Sequence, residues 1–213
     1  MSRWTFYTAP ATCALATHIA LCEAQADYAL VRLDFTNAQQ RSADFLAINP
    51  KGRVPALATP QGVLTETPAL LSFVARSHPQ AGLLPLDDAW ALGQVDELHS
   101  YLASTMHVAH AHKFRGARWA DLPESHADMR AKVPQTMAAC AQHLEAQLNA
   151  QCSDGPWVLG PRYSVADAYL FTIASWLEGD GVDTQALPRL LAHRAQMQSR
   201  PAVQRALAEA AVR

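Results

Sequence analysis

The chain has 213 residues, of which 50% are hydrophobic, and its formal net charge is −2 at pH 7. A chain of this size can bury one large core or two modest ones. The near-neutral charge removes the broad attraction that nucleic acid or an anionic membrane surface would exploit. We therefore expect a small-molecule partner, with no nucleic acid and no membrane.

The N-terminal segment MSRWTFYT has no apolar signal core, and no later run approaches the ~20 apolar residues of a membrane-spanning helix. This predicts a cytoplasmic protein. The chain contains Cys13, Cys22, Cys140 and Cys152, and none of them forms a C-x-x-C pair. The spacing favours neither a zinc ribbon nor a two-thiol redox motif, so we expect reduced thiols and no metal.

The first part of the chain alternates between strand-like and helix-like patterns. RWTFYT and YALVRLDF alternate in polarity, and the intervening CALATHIALCEAQ places Leu15, Ile19 and Cys22 on one helical face. RSADFLAI follows as a short helix, RVPALAT and GVLTE as strands around a Pro-Gln-Gly turn, and TPALLSFVARS as another helix. The order β-α-β-α-β-β-α predicts an α/β domain that begins with a parallel β-α-β unit.

A Pro- and Gly-containing linker over residues 78–88 separates this domain from a helical remainder. Apolar residues recur at intervals of three and four over residues 89–114 and again over 127–150. Pro134 is expected to kink or restart the second of these helices.

Two further helix starts follow near the C-terminal end. Ser164 precedes Asp167 by three residues, close to a capping box, and RPAVQRALAEAA begins with a proline suited to a first helical turn. The pattern predicts an all-helical second domain.

NPKGRVPAL, residues 49–57, contains a proline at the start of an apolar strand. Pro55 removes a donor from the strand unless it lies at an edge or in a turn. A cis Val54–Pro55 bond would turn the N–H and C=O of Val54 outward, to pair with an extended ligand. A trans proline on an edge strand is the alternative, and the rarity of cis bonds favours it when composition alone is considered.

LTETPALL, residues 64–71, fixes a helix start, with Thr67 as the N-cap and Pro68 in the first helical position. The unpaired N–H groups there form an anion site. Glu66 beside it offers a carboxylate for an ammonium group, so the pair suits an α-amino-acid headgroup. An ordinary cap preceded by a solvated glutamate is the alternative.

Taken in this order, the segments resemble the glutathione transferase family over essentially the whole chain. GRVPAL resembles the family's cis-proline segment, ETPA its Glu-Ser/Thr pair for the γ-glutamyl group, and YSVADAYLF the capping box and helix of its helical domain. The resemblance implies a thioredoxin-like glutathione-binding domain over residues 1–79 and an all-α domain over residues 87–213 that contributes the electrophile site. It also implies glutathione as co-substrate.

Within the family the bacterial beta class is the nearest match. FYTAPATCALATHIAL resembles the class segment FYTPGACSLSPHIAL with one extra residue before Pro10, which places Cys13 on the class's active-site cysteine. His107 falls on a histidine that the class turns toward the glutathione site.

The chain also departs from the beta class. Thr36 and Val108 replace lysines and Ser100 replaces an asparagine, so contacts to the glycyl carboxylate and the second substrate differ from the class pattern. Ser100 and Lys51 are secondary candidates for the glutathione site.

The resemblance implies a homodimeric detoxification enzyme that conjugates the glutathione thiolate to small hydrophobic electrophiles. Glutathione would pair with the Val54 backbone beside Pro55 and place its γ-glutamyl group at Glu66 and Thr67 and its sulfur near Cys13. The electrophile would lie between the domains, near His107.

Two roles for Cys13 stay open. It donates an S–H hydrogen bond to the glutathione sulfur, or it ionises and forms a mixed disulfide in thiol-disulfide exchange. Tyr7 and Thr12 are competing partners for the same sulfur. A non-catalytic module that binds ligands or proteins is the remaining alternative.

The sequence HVAHAHKF raises a metal hypothesis for His107, His110 and His112. His107 and His110 lie on neighbouring turns, but no carboxylate or thiol lies close in sequence and His112 points elsewhere. We favour a solvated or ligand-facing helix end.

Overall fold

The structure is a computed structural model that describes residues 3–151 and 155–211. It divides the chain into two compact units. The first unit comprises Met1–Ala89 and Gln198–Arg213, and the second comprises Trp90–Met197. The C-terminal segment therefore groups with the N-terminal part of the chain, whereas the functional division at residues 79 and 87 stays a prediction.

The first unit is built on a four-stranded mixed sheet. Its elements are β1 (Trp4–Thr8), α1 (Ala14–Glu23), β2 (Tyr28–Arg32), α2 (Ala43–Ile48), β3 (Ala56–Thr59), β4 (Gly62–Thr65) and α3 (Thr67–Ser77). The strand order is β2-β1-β3-β4, with β1 parallel to β2 and antiparallel to β3, and β3 antiparallel to β4. This confirms the predicted thioredoxin-like fold.

Apolar side chains from the sheet and the helices form the core of the first unit. Phe6 on β1 pairs in register with Leu30 and Leu57 and is completely buried. In α1, Ile19 and Cys22 are buried as the helical face predicts, although Leu15 is only half-buried.

Beyond residue 88, the regular elements of the described residues are helices. The elements are α4 (Ala89–Tyr101), a π-helical segment (Leu102–Met106), α5 (His107–Ala111), α6 (Pro123–Gln151), α7 (Val165–Ala174) and α8 (Pro188–Gln198). The last helix, α9 (Pro201–Ala211), packs on α1 in the first unit. The predicted all-helical region is therefore present, and among the described residues no helix is long and apolar enough to cross a membrane.

Two helix predictions need correction. The helix expected over residues 89–114 is interrupted by the π-helical segment and ends at Ala111. The helix around Pro134 does not restart there, because α6 runs through this residue without a break. A proline removes one backbone donor, and the hydrogen bonds of more than two turns on either side keep the helix continuous.

The predicted capping box at α7 is present. The Ser164 side chain accepts a hydrogen bond from the Ala166 N–H at 3.3 Å, and the Ser164 N–H donates to the Asp167 carboxylate at 2.8 Å. Both side chains are completely buried. The start of α7 is therefore fixed by interactions between neighbouring residues.

Three of the four cysteines lie among the described residues. Cys13, Cys22 and Cys140 are buried thiols and take no part in a disulfide. Cys152 lies outside the described residues.

Candidate active site

Cys13 lies where strand β1 passes into helix α1. A tight turn precedes it, because Ala11 has a φ of 54° and the Thr12 hydroxyl donates to the Ala9 carbonyl at 2.7 Å. Cys13 is the N-cap residue of α1, and its Sγ lies 3.8 Å from the Val54 carbonyl oxygen, which accepts from the thiol. The N–H groups of a first helical turn favour negative charge nearby. The sulfur therefore lies beside the N–H groups that begin α1.

The segment opposite Cys13 contains the proline singled out in the sequence. The Val54–Pro55 peptide bond is cis, as the resemblance implies. Strand β3 begins only at Ala56, so Pro55 precedes the strand and takes no donor from its ladder. Cys13 and Val54, which are distant in sequence, thus meet in one place.

A buried side-chain amide holds the turn before Val54. Asn49 is 1% exposed, its Nδ2 donates to the Arg53 carbonyl at 2.6 Å, and its Oδ1 accepts from the Lys51 N–H at 3.2 Å. Gly52 has a φ of 60°, and a Cβ there would lie 2.9 Å from the Gln40 carbonyl oxygen. Sequence reasoning missed Asn49, although an Asn at the start of a turn often accepts a hydrogen bond from the N–H two residues later, which forms an Asx turn.

Glu66 and Thr67 lie at the start of α3. Glu66 is the N-cap, and Thr67, predicted to be the cap, is the first helical residue instead. Pro68 then occupies the second helical position, where its missing N–H is still one of the unpaired donors of the first turn. Glu66 has a φ of 73° and a ψ of 123°, a backbone conformation that costs free energy in a residue other than glycine.

The Glu66 carboxylate already contacts an ammonium group. Lys51 Nζ lies 2.5 Å from Glu66 Oε1 and donates to the Thr65 hydroxyl at 2.6 Å. The side chains of Lys51 and Glu66 are 43% and 64% exposed, so the pair contributes little to stability. Thr67, the next residue, is buried.

The competing sulfur partners have other contacts. The ring of Tyr7 is half-buried on β1 with its centroid 5.7 Å from that of Phe45, and the Thr12 hydroxyl donates to the Ala9 carbonyl.

His107 and Ser100 belong to the second unit. His107 begins α5, is half-buried, and has its ring centroid 5.2 Å from that of Trp176. His110 stacks on the same indole, at 4.2 Å. The exposed Ser100 hydroxyl donates to the Asp96 carbonyl at 2.7 Å, one turn earlier in α4.

The remaining histidines of this helix have partners from other elements. Asp180, whose side chain is 1% exposed, lies 2.6 Å from His110 Nδ1 and 3.2 Å from Lys113 Nζ. His112 lies against Trp119, with ring centroids 4.5 Å apart. Sequence reasoning missed Asp180, because it follows His110 by 70 residues.

These features define a class of protein. A thioredoxin-like sheet joined to a helical unit carries a cysteine at the start of α1, a cis-proline before β3 and a carboxylate at the start of α3. Residues 2–76 match the family described as glutathione S-transferase, N-terminal domain, and residues 123–196 match glutathione S-transferase, C-terminal domain.

Individual proteins match over the whole chain. Glutathione S-transferase GstA of Escherichia coli O157:H7 is 33% identical over 93% of this chain and 94% of its own. A glutathione transferase homologue from Sulfitobacter, solved with bound glutathione, is 48% identical with a TM-score of 0.93 and full coverage of both chains. A bacterial beta class enzyme from Sphingomonas chungbukensis is 31% identical with a TM-score of 0.82, covering 97% of this chain and 98% of its own. The chain belongs to the glutathione S-transferase family.

Proposed function

We propose that this protein binds glutathione along the first unit and conjugates the glutathione thiolate, through its sulfur, to small hydrophobic electrophiles. One observation carries the proposal, namely the 3.8 Å approach of Cys13 Sγ to the Val54 carbonyl. If the Val54 backbone pairs with the main chain of the central cysteinyl residue of glutathione, the glutathione sulfur comes to lie beside Cys13. The Sulfitobacter homologue, solved with bound glutathione, supports glutathione as the ligand.

The first unit also offers contacts for the rest of the glutathione molecule. The α-amino group of the γ-glutamyl residue replaces Lys51 Nζ at Glu66, and its carboxylate binds the N-terminal end of α3 at Thr67. This proposal assigns glutathione binding to residues 1–79 and the electrophile site to residues 87–213. His107 is the second candidate catalytic group.

Cys13 acts in conjugation by keeping the glutathione sulfur ionised. A thiol with an ordinary pKa is only a few per cent ionised near neutrality, so the bound thiolate needs donors and a favourable dipole. The Cys13 S–H exchanges its Val54 acceptor for the glutathione sulfur, and the start of α1 adds the dipole.

The second candidate function is thiol-disulfide exchange, favoured by the position of Cys13 at a helix start. The Cys13 thiolate attacks a glutathione mixed disulfide, forms a Cys13–glutathione disulfide and releases the other thiol. A second glutathione thiolate then attacks this bond, which yields glutathione disulfide and regenerates Cys13. The cycle needs no further oxidant.

Variants at Cys13 distinguish the two functions. For Cys13→Ala we expect exchange to vanish, because the covalent intermediate cannot form, and conjugation of 1-chloro-2,4-dinitrobenzene to fall roughly tenfold to a hundredfold through loss of one hydrogen bond to a charged sulfur. Cys13→Ser restores a donor and should regain most of the conjugation. Cys140→Ser, a buried thiol in the second unit, is the matched control and keeps both activities.

Retention on immobilised glutathione tests the enzyme against a non-catalytic module. A chain that is not retained at millimolar glutathione contradicts the proposal, and a retained chain that catalyses neither reaction is the binding module. The homodimer, the cytoplasmic location and the role in detoxification are proposals that rest on the family alone.

A further inference from the structure

A second cluster of reactive side chains lies in the first unit, away from Cys13 in sequence. His18 and Cys22 are one turn apart on α1, and Glu209 approaches them from α9. One ligand atom from each, an imidazole nitrogen, a thiol sulfur and a carboxylate oxygen, lies within 4.8 Å of the other two. Within the part of the chain that the structure describes, no other group of three such residues converges in this way.

The Tyr28 hydroxyl lies among the three ligand atoms. It is 3.1 Å from His18 Nε2 and 3.3 Å from Cys22 Sγ, and it donates to Glu209 Oε2 at 3.0 Å. His18 Nε2 is itself 2.8 Å from Glu209 Oε2. Tetrahedral zinc with nitrogen, sulfur and oxygen ligands requires separations of roughly 3.3–3.7 Å between ligand atoms. The separations between the three ligand atoms, none above 4.8 Å, therefore differ from those of a coordination shell by at most roughly 1.5 Å.

Neighbouring contacts orient two of the three ligand atoms. His18 is completely buried, and its Nε2 faces the Glu209 carboxylate and the Tyr28 hydroxyl. Arg205 Nε holds Glu209 Oε1 at 2.7 Å, which leaves Oε2 to face His18.

We propose that His18 Nε2, Cys22 Sγ and Glu209 Oε2 form a binding site for a thiophilic divalent cation, with Zn²⁺ as the fitting ion. A histidine and a cysteine at positions i and i+4 present both ligands from one helical face, and nitrogen, thiolate and carboxylate are all zinc ligands. The Tyr28 hydroxyl or a water molecule completes the tetrahedron.

Charge and protons balance in this site. Zn²⁺ replaces the proton of the Cys22 thiol, which leaves as H⁺, and the thiolate and the Glu209 carboxylate neutralise the ion. The His18 proton moves from Nε2 to Nδ1 as Nε2 turns to the metal. Glu209 is part-exposed, with 32% of its side chain accessible, so a cation can enter from the α9 side.

Two features limit the affinity. His18 Nδ1 is buried and has no hydrogen-bond partner among the described residues, whereas most metal-binding histidines donate from this second nitrogen. Loss of such a hydrogen bond typically weakens metal binding 10- to 100-fold. Arg205 adds positive charge beside Glu209. We therefore expect a site weaker than that of a structural zinc finger, one that ties α9 to α1 when the metal is available.

The test is a titration of the tag-free, metal-free full-length chain with Co²⁺, a spectroscopic substitute for Zn²⁺. We expect one Co²⁺ per chain, with a thiolate-to-cobalt charge-transfer absorption that Zn²⁺ abolishes. Cys22→Ser should remove this absorption, and Glu209→Gln should weaken binding at least tenfold. Zn²⁺ should raise the Tm of the wild-type chain with increasing concentration and leave that of Cys22→Ser unchanged.

Matched controls are Cys13→Ser and Cys140→Ser, at the other two buried thiols among the described residues, and both should keep the absorption. The proposal is overturned if the wild type shows no charge-transfer absorption at millimolar Co²⁺, if Cys22→Ser retains it, or if either control loses it. If circular dichroism shows that Cys22→Ser does not fold, the Glu209→Gln variant provides the test instead. An affinity for Co²⁺ equal to that of the wild type in Glu209→Gln would then overturn the proposal.

Discussion

At the scale of single residues, Asn49 determines the shape of the segment that precedes the cis-proline. Its buried amide donates to the Arg53 carbonyl and accepts from the Lys51 N–H, so one side chain closes the turn from both sides. Lys51 and Val54, both candidates for the glutathione site, lie on this turn. Loss of the Asn49 side-chain hydrogen bonds should therefore change both the stability of the fold and the binding of the ligand.

Asn49→Ala removes both hydrogen bonds and leaves two backbone groups without these partners. We expect the free energy of unfolding to fall by about 1–3 kcal/mol, as measured by urea unfolding, and the affinity for glutathione to fall with it. Asn37→Ala is the matched control, because Asn37 is exposed and its amide donates to Asp34 at 2.6 Å. The control should change stability by less than about 0.5 kcal/mol. Equal losses in the two variants would show that burial of Asn49 is not the cause.

At the scale of elements, helix ends with local signals were predictable and interruptions inside helices were not. The capping box at α7 involves residues three positions apart, so the local sequence is enough to predict it. The π-helical segment between α4 and α5 shifts the position of the following residues around the helix axis. A hydrophobic pattern with a period of 3.6 residues does not reveal such a shift. The start of α3 differs by one residue, because Glu66 takes the N-cap position without a side-chain cap hydrogen bond, although Thr67 is the preferred residue type there.

The α7 start is stabilised mainly by the Asp167 carboxylate. Besides the Ser164 N–H, Asp167 accepts from the Val158 N–H at 2.8 Å and lies 3.0 Å from His193 Nε2. Asp167→Ala should lower the free energy of unfolding by about 3 kcal/mol or more, since it leaves several buried groups unpaired. Ser164→Ala should lower it by about 1 kcal/mol, the usual value of an N-cap side chain.

Urea unfolding at neutral pH measures both losses. Asp128→Ala provides the control, because Asp128 is exposed on α6 and its removal should cost less than about 0.5 kcal/mol. A Ser164→Ala loss that equals or exceeds the Asp167→Ala loss would contradict the assignment of the larger role to the carboxylate.

At the scale of the whole molecule, the C-terminal helix α9 belongs with the N-terminal unit. Arg200 forms two hydrogen bonds with Glu23 at the end of α1, at 2.6 and 3.0 Å, and Val203 and Ala206 are completely buried. The proline that begins RPAVQRALAEAA predicts a helix start but not the partner of that helix, because nearly 180 residues separate Glu23 from Arg200. A similarly large separation in sequence explains why the approach of Glu209 to His18 and Cys22 could not be predicted.

The α9 contact should stabilise α1 and with it the segment that begins at Cys13. Val203→Asp places a charge at a fully buried position, where the cost of desolvation should lower stability by about 3 kcal/mol or more. In hydrogen exchange, the amides of α1 should lose protection, while those of α7 in the second unit should change less. Leu207→Asp is the matched control on the same helix, because Leu207 is already 38% exposed. If both variants exchange alike, or if α7 loses as much protection as α1, then α9 does not act on the first unit in particular.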